Sequence, residues 1–422
     1  MICVGKRSSA LLATLILLML GACASGYIAS PSPNPVLAEA RLTGGEAAID
    51  DVSSFELLYV TNLRPAEDGL GYMEGRSNSM AMGTVDIGLS NLDPVDYLNY
   101  MLGQPTGGIT PEYLITEIEE KVRFPATPLP FAITGGSVVY DPVPLASYGR
   151  ASASLKSSLA RSLEQQRTGH VVLYIPGFNN SFETSAYNLL ELWTASDRTG
   201  VPILFSWPTE LSSPLNYFAD TQDGAFAVFH LKETIRLIAA TESVSSVSVI
   251  AHSHGASIAT TALRELLIEE RGAGRSLADT YDIDTLILAA PDIDLGVMEQ
   301  RLVTEAFGAG FGQINVYINP DDDALGIAQL VFRNQRFGAS LLSDFSPETR
   351  AALSGLSSVH FIAVEDAKGA ARHNYFRLHP GVLADIGITL RTGAKPSDSE
   401  RPLTQKNSNF WTLDSRYQPR LD

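Results

Sequence analysis

Residues 246–260 read SVSVIAHSHGASIAT, an apolar run that ends at a serine between two histidines and continues into small residues. Ser253 lies where a predicted strand turns into a predicted helix, and the small residues Ala251, Gly255 and Ala256 suit a tight turn. Such a turn lifts a hydroxyl clear of the backbone and places it beside free N–H groups at a helix N-terminus. The pattern resembles G-x-S-x-G with alanine at the first glycine, and it predicts Ser253 as a nucleophile.

A serine hydroxyl becomes a nucleophile only when a base takes its proton, and an acid must orient that base. Where this type of elbow is used, the acid and the histidine follow the serine in the chain. His373 lies in the loop after the last predicted strand and is the predicted base. His379, directly before Pro380, is the alternative, whereas His360 falls inside a predicted strand.

Two strand ends offer an acid. The run 321–323 follows the penultimate predicted strand, and Asp322 is the preferred residue within it. Asp321 and Asp323 remain open, as do Asp292 and Asp294 after the preceding strand. A run of three aspartates is also typical of a solvated turn or a helix N-cap.

The nucleophile also needs donors for an oxyanion. The backbone N–H of His254 follows the serine directly, and a second N–H is expected from Phe178 in the loop after residues 171–177. Gly177 permits close approach of that loop. Asn179 and Asn180 are candidate side-chain helpers.

A metal site at the two histidines is the weaker interpretation. His252 and His254 are two residues apart on a sharp turn, so their side chains should diverge, and no H-x-x-x-H or H-E-x-x-H pattern supplies further ligands. We therefore predict neither a metal nor a cofactor.

Apolar runs alternate with helical patterns along most of the chain, which predicts an α/β fold with a mostly parallel sheet and helices on both faces. In such a sheet, reactive groups gather beyond the carboxyl ends of the strands. The predicted strands are 55–62, 137–145, 171–177, 202–208, 246–252, 283–292, 313–323 and 358–366, and the predicted helices include 181–196, 222–240 and 256–270.

The N-terminus reads as a targeting segment. Lys6 and Arg7 precede the apolar run 11–20, and small residues follow, as in a secretory signal peptide over 1–22. The ending Leu-Gly-Ala-Cys at 20–23 resembles the lipobox of bacterial lipoproteins, which implies a lipidated Cys23 and an outer-membrane lipoprotein that faces the periplasm or the surface. An ordinary signal peptide with a chance cysteine is the alternative.

These observations predict four segments: the signal peptide, a lipidated and flexible tether over 23–54, one domain over 55–392, and a polar C-terminal tail over 393–422. Within that domain, residues 64–135 are open to two interpretations, a lid or an N-terminal extension. The formal charge of −17 argues against a nucleic-acid partner, and 45% hydrophobic residues argue against a multi-span membrane protein.

Several motifs in order resemble a bacterial α/β-hydrolase family of unknown function: YIPGFNNSFE, LFSWPTE, IAHSHG, LAAPDID and the opening LYVTNLRPAEDG. The resemblance spans about 55–390. It implies Ser253 as nucleophile, an acid near Asp322 and a base at His373. Members often have methionine where this chain has His254, which changes the polarity expected of the pocket.

Together these features predict an envelope-anchored serine hydrolase that acts on a small-molecule or lipid carboxylic ester through an acyl-enzyme. Thioesters and amides remain open as substrates. The competing hypothesis is a non-catalytic envelope lipoprotein that uses the same fold for binding or assembly.

Overall fold

An 11-stranded sheet forms the centre of the computed structural model, which describes residues 27, 29–30, 54–69, 71–101, 107–209, 217–332, 334–340, 342–368, 371–414 and 416–417. Two further strands pair with each other as a separate hairpin. In chain order the strands are β1 (Ser54–Pro65), β2 (Tyr72–Leu89), β3 (Tyr113–Arg123), β4 (Phe131–Thr134), β5 (Ser137–Tyr140), β6 (His170–Ile175), β7 (Val201–Ser206), β8 (Ser246–His252), β9 (Ile283–Ala289), β10 (Gln313–Ile318), β11 (Val359–Val364), β12 (Thr404–Asn407) and β13 (Phe410–Leu413).

The strand order is β12-β13-β11-β10-β9-β8-β6-β7-β1-β2-β3. Every neighbouring pair from β13 to β1 is parallel, whereas β12, β2 and β3 pair in antiparallel fashion at the two ends. The central strands are continuous apolar runs because both faces of the sheet are covered. The predicted α/β fold is confirmed.

Helices cover both faces of the sheet. One core contains Leu159, Leu231 and Leu263, and the other contains Leu189 and Ile386. None of the helices in the described ranges is long and apolar enough to cross a membrane. The helices are α1 (Pro94–Met101), α2 (Pro142–Gln166), α3 (Phe182–Ala195), α4 (Tyr217–Ala239), α5 (His254–Gly272), α6 (Leu277–Tyr281), α7 (Leu295–Val297), α8 (Asp323–Phe332), α9 (Pro347–Ser354), α10 (Ala371–Leu378) and α11 (Pro380–Thr392).

The strand predicted over 137–145 is wrong beyond Tyr140. The side chain of Asp141 accepts a hydrogen bond from the N–H of Val143 and caps a helix that begins at Pro142. Proline suits the first turn of a helix because the N–H it lacks would have no intrahelical partner there.

The polar tail predicted over 393–422 is also wrong at two places, since β12 and β13 within it extend the sheet. A buried ion pair of Arg401 anchors this segment to the domain. The guanidinium is fully buried and lies 2.7 Å from the carboxylate of Asp385 in α11. The polar composition of this segment does not reveal that its arginine has a buried partner elsewhere in the chain.

The segment 64–135 contributes β2 and β3 to the end of the sheet, and β4 of the separate hairpin follows them. Part of the predicted tether contacts the fold as well. The N–H of Ser30 donates to Glu191 over 2.7 Å, and Arg377 lies over the ring of Tyr27. The predicted signal peptide and Cys23 lie outside the described residues.

Candidate active site

Ser253 occupies a sharp turn between β8 and α5. Its backbone has φ 51° and ψ −123°, a conformation that residues other than glycine rarely adopt. The turn is packed tightly, because a Cβ at Gly255 would lie 2.3 Å from the carbonyl oxygen of Pro176. Strain of this kind at a residue with a reactive side chain is characteristic of functional sites.

The structure brings the three predicted catalytic residues into one hydrogen-bonded chain. His373 Nε2 lies 3.0 Å from Ser253 Oγ, and His373 Nδ1 lies 2.8 Å from Asp322 Oδ2. A carboxylate can only accept, so Nδ1 carries the proton and the neutral ring accepts from the serine hydroxyl at Nε2. This is the arrangement that a serine nucleophile requires.

The acid is fixed by its own helix. The side chain of Asp322 is fully buried, and its Oδ1 accepts from the N–H of Leu325 in the first turn of α8 over 3.0 Å. Asn319, at the end of β10, donates through its side-chain amide to the carbonyl oxygen of Arg372, the residue before His373. Asn319 is not among the residues predicted from the sequence, although its position directly after the buried strand β10 is a signal for it.

Burial and charge act in opposite directions on His373. Burial lowers the pKa of its imidazole, but the charge of Asp322, its hydrogen bond and the more distant Asp292 raise that pKa above the ordinary value. The base is therefore stronger than a free histidine.

The neighbouring aspartates have other positions. Asp321 and Asp323 are exposed, and Asp323 pairs with Arg372 at 2.6 Å. Asp294 accepts from the N–H of Val297 and caps α7.

The two other histidines that follow the serine region do not contact it. His379 caps α11 by accepting from the N–H of Val382, and burial lowers its pKa. His360 lies within β11, where burial lowers its pKa to about 4.

The two residues predicted for the oxyanion site both belong to segments that adjoin the serine. His254 is the first residue of α5, and Phe178 follows Gly177, at which a Cβ would come within 2.9 Å of Ser253 Cβ. The side-chain amide of Asn180 donates to the carbonyl oxygens of Gly177 and Phe178, so it braces this loop.

His252 and His254 have separate surroundings. His252 stacks on Phe376 with ring centroids 4.2 Å apart, and its pKa is well below the ordinary value because it is buried and faces His373. His254 lies against Trp207 and near Asp292, and burial lowers its pKa too. The described part of the chain contains no cluster of three or more potential metal ligands among histidine, cysteine, aspartate and glutamate.

A second charged group, which the sequence did not predict, lies near the site. Arg336 Nε lies 3.4 Å from Asp292 Oδ1, and Asp292 Oδ2 lies 4.0 Å from His254 Nδ1. All three side chains are largely buried. Asp292, an alternative acid in the sequence analysis, therefore belongs to this second charged group, whereas Asp322 is the carboxylate that contacts His373.

Two solved structures illustrate the similarity at the level of known structures. The chain is similar to a lipase-esterase related protein from Clostridium acetobutylicum ATCC 824, with 8% identity, 52% of this chain and 93% of that chain covered, and a TM-score of 0.30. It is also similar to the tryptophan synthase alpha chain of Legionella pneumophila subsp. pneumophila, with 14% identity, 56% and 94% covered, and a TM-score of 0.20. At these TM-scores neither likeness bears on the chemistry. No curated protein sequence matches the chain.

A family described as "Alpha/beta hydrolase of unknown function (DUF900)" matches residues 151–391, which is more than half of the 422 residues and includes Ser253, Asp322 and His373. The resemblance inferred from the sequence motifs is confirmed at the level of the family. The chain therefore belongs to this family of α/β hydrolases of unknown function.

Proposed function

We propose that this chain is a serine hydrolase that cleaves carboxylic esters through an acyl-enzyme. The observation that supports it best is the continuous path from Ser253 Oγ through His373 to the buried carboxylate of Asp322, with heavy-atom separations of 3.0 and 2.8 Å. These are distances at which a proton can be transferred without rearrangement of the site.

In the first half of the reaction, Ser253 Oγ attacks the carbonyl carbon of the ester and His373 Nε2 takes its proton. The negative charge moves to the carbonyl oxygen, which the backbone N–H groups of His254 and Phe178 would stabilise. The Asp322 carboxylate stabilises the imidazolium. Collapse of the intermediate breaks the bond to the alcohol oxygen, which receives the proton from His373 and leaves the acyl group on the serine.

In the second half, His373 takes a proton from water as the water oxygen attacks the acyl carbon. The new intermediate collapses, the proton returns to Ser253 Oγ, and the carboxylic acid is released. The sequence of steps needs only the side chains and backbone groups of this chain together with water.

The electrostatics favour esters within this reaction class. The raised pKa of His373 makes the imidazole a better base but its protonated form a weaker acid. An alcohol leaving group depends less on protonation than an amine does. Thioesters share that property, and amides are the least favoured of the three.

The test is covalent labelling with a fluorophosphonate probe, which reacts with activated serines. Labelling of the full chain should disappear in Ser253→Ala and persist in Ser257→Ala, a serine one turn further along α5. A folded wild-type chain that takes up no label would overturn the proposal and favour a non-catalytic envelope protein.

We also propose that Cys23 carries a lipid that anchors the chain in the outer membrane, facing the periplasm or the surface. The supporting feature is the run Leu-Gly-Ala-Cys after an apolar segment. Cys23→Ser should remove the lipid mass from the N-terminal peptide and release the mature chain from the membrane fraction. A wild-type chain with an unmodified cysteine would contradict this proposal.

A further inference from the structure

The hairpin of β4 and β5, residues 131–140, stands apart from the main sheet. Phe131 pairs with Tyr140, and Gly135 and Gly136, both with positive φ, form a two-residue turn. A Cβ on either glycine would meet nothing within 4 Å. The N–H of Asp141 closes the base of the hairpin by donating to the carbonyl oxygen of Pro130 over 2.8 Å.

Apolar side chains are exposed on both faces of this hairpin, since the pairing places Phe131, Ile133, Val138 and Tyr140 on one face and Val139 on the other. The exposed fractions are 54% for Phe131, 72% for Ile133, 53% for Val138 and 52% for Val139. Adjacent residues of a strand point to opposite faces, so Val138 and Val139 expose one face each. An isolated two-stranded hairpin is only marginally stable in water, and an exposed apolar patch usually marks an interaction site.

The hairpin and its flanks are nearly free of charge. Asp141 is the one charged residue between positions 124 and 149, in a chain with a formal charge of −17. Its carboxylate accepts from the N–H of Val143 at the start of α2. This surface therefore offers almost no charge for ion pairs with a partner. It is suited to contact with an apolar phase.

A flat protein surface would cover one face of the hairpin and leave the other in water. A lipid phase contacts both faces at once. We propose that the hairpin 131–140 inserts into the interfacial region of a lipid bilayer. The outer edges of β4 and β5 carry unpaired backbone groups, so the hairpin stays at headgroup depth, where water and polar headgroups can bind them.

The hairpin lies at the same edge of the sheet as Ser253. After β3, Phe124 donates to the carbonyl oxygen of Met80 and Thr127 to that of Asn78, so the chain continues along β2 toward the carboxyl ends of the parallel strands. β3 and β8 are five steps apart in the strand order, a lateral distance of about 24 Å.

Insertion of the hairpin therefore brings the active-site edge of the sheet to the bilayer surface. This consequence rests on the proposed function, and it narrows the substrate to an ester whose acyl chain is held in the bilayer. Such a substrate would reach Ser253 from the lipid rather than from bulk water.

Tryptophan fluorescence can test the insertion directly. The native Trp193, Trp207 and Trp411 are all buried, with exposed fractions of 6%, 1% and 7%. Ile133→Trp places a reporter on the hairpin. Ser243→Trp places a matched reporter on the exposed turn before β8, at the opposite edge of the sheet.

Both full-chain variants are bound to phosphatidylcholine vesicles with brominated acyl chains, which quench tryptophan on contact. The Ile133→Trp signal should be quenched, more strongly by bromine near the headgroups than by bromine deep in the bilayer, while Ser243→Trp is unaffected. Equal quenching of the two reporters would mean tethering without insertion and would overturn the proposal. An unquenched Ile133→Trp would also overturn the proposal, and a dimer in light scattering would then show that a second copy covers the hairpin.

A second measurement distinguishes a role of the hairpin in membrane contact from a role in the chemical reaction. Ile133→Asp combined with Val139→Asp should lower the rate on a long-chain ester embedded in vesicles by about tenfold or more per side chain, while a soluble short-chain ester is cleaved at the wild-type rate. Ser243→Asp, the matched control, should change neither rate. Equal losses on both substrates would contradict the proposal. If the wild type cleaves neither ester, the proposed function fails, and the quenching result still decides the role of the hairpin.

Discussion

Replacing Asp322 with asparagine tests how the carboxylate supports His373. The two oxygens of Asp322 have different partners, since Oδ2 accepts from His373 Nδ1 at 2.8 Å and Oδ1 accepts from the N–H of Leu325 at 3.0 Å. Both partners are donors. Asparagine has one oxygen and one NH₂ group, so one of the two partners must face the NH₂.

The N–H of Leu325 is fixed in the backbone of α8, whereas the imidazole can change its tautomer. The amide oxygen of the asparagine should therefore face Leu325, and its NH₂ should donate to His373 Nδ1. The opposite orientation would leave a buried donor unsatisfied, at a cost of about 1–3 kcal/mol. With Nδ1 as acceptor, the ring proton moves to Nε2 and faces Ser253, so the imidazole can no longer take the serine proton.

The expected loss is large. The same change of tautomer in a well-studied serine triad lowers kcat by about 10⁴-fold, which corresponds to about 5.4 kcal/mol of activation free energy. The assay is hydrolysis of p-nitrophenyl butyrate, with kcat and KM measured separately. KM should change little because Asp322 is buried beneath the histidine and does not contact the substrate.

Asp323→Asn is the matched control. The carboxylate of Asp323 is exposed and pairs with Arg372 on the surface, so its removal should change kcat by less than about fivefold. An Asp322→Asn chain that keeps kcat within about tenfold of the wild type would refute the tautomer argument. An equal loss in both variants would refute the choice of Asp322 as the acid.

Three further predictions follow from the geometry. Catalysis requires neutral His373, and its pKa is raised, so activity should fall with decreasing pH from a value above the ordinary histidine pKa, as a pH–rate profile of kcat/KM would show. Gly255→Ala should lower the free energy of unfolding by at least about 2 kcal/mol in urea titrations, because its methyl group would meet the carbonyl oxygen of Pro176 at 2.3 Å. Arg401→Met should cost about 3–5 kcal/mol of unfolding free energy in the same assay, because it leaves the buried Asp385 without its cation.

Each of these predictions has a defined counter-result. Gly272→Ala, near the end of α5, adds a methyl group with nothing within 4 Å and should be nearly neutral, so equal losses at the two glycines would contradict the steric argument. An acid limb at or below the ordinary histidine pKa would show that burial outweighs the charge of Asp322. A stable Arg401→Met chain would mean that the ion pair does not hold the C-terminal segment in place.

Much of the site could be predicted because its requirements are local. A buried strand, a reactive serine and small residues occupy adjacent positions in the sequence, and the physical demands of a tight turn explain each of them. The choice of the acid among Asp321, Asp322 and Asp323 could not be made from local sequence. Only the packing separates them, since Asp322 is 3% exposed whereas its two neighbours are exposed.

The two errors in the fold have different causes. Residues 404–413 are mostly polar, yet β13 pairs with β11 and Arg401 meets Asp385 in the interior. The second error is local, because an apolar run across 137–145 resembles one strand, but a capping aspartate and a proline within it divide it between β5 and α2. The partners of residues 404–413 lie outside that segment of the sequence. In 137–145, by contrast, the only signal of the helix start was the aspartate and the proline inside an apolar run.

The central claim is that Ser253 becomes acylated, and trapping the intermediate tests it most directly. The full chain is mixed with a p-nitrophenyl ester, quenched in acid during the first turnover, digested and weighed by mass spectrometry. The proposal predicts an initial burst of about one nitrophenolate per chain and an acyl group on Ser253. Turnover without a burst and without an adduct, or an adduct on another residue, would contradict it.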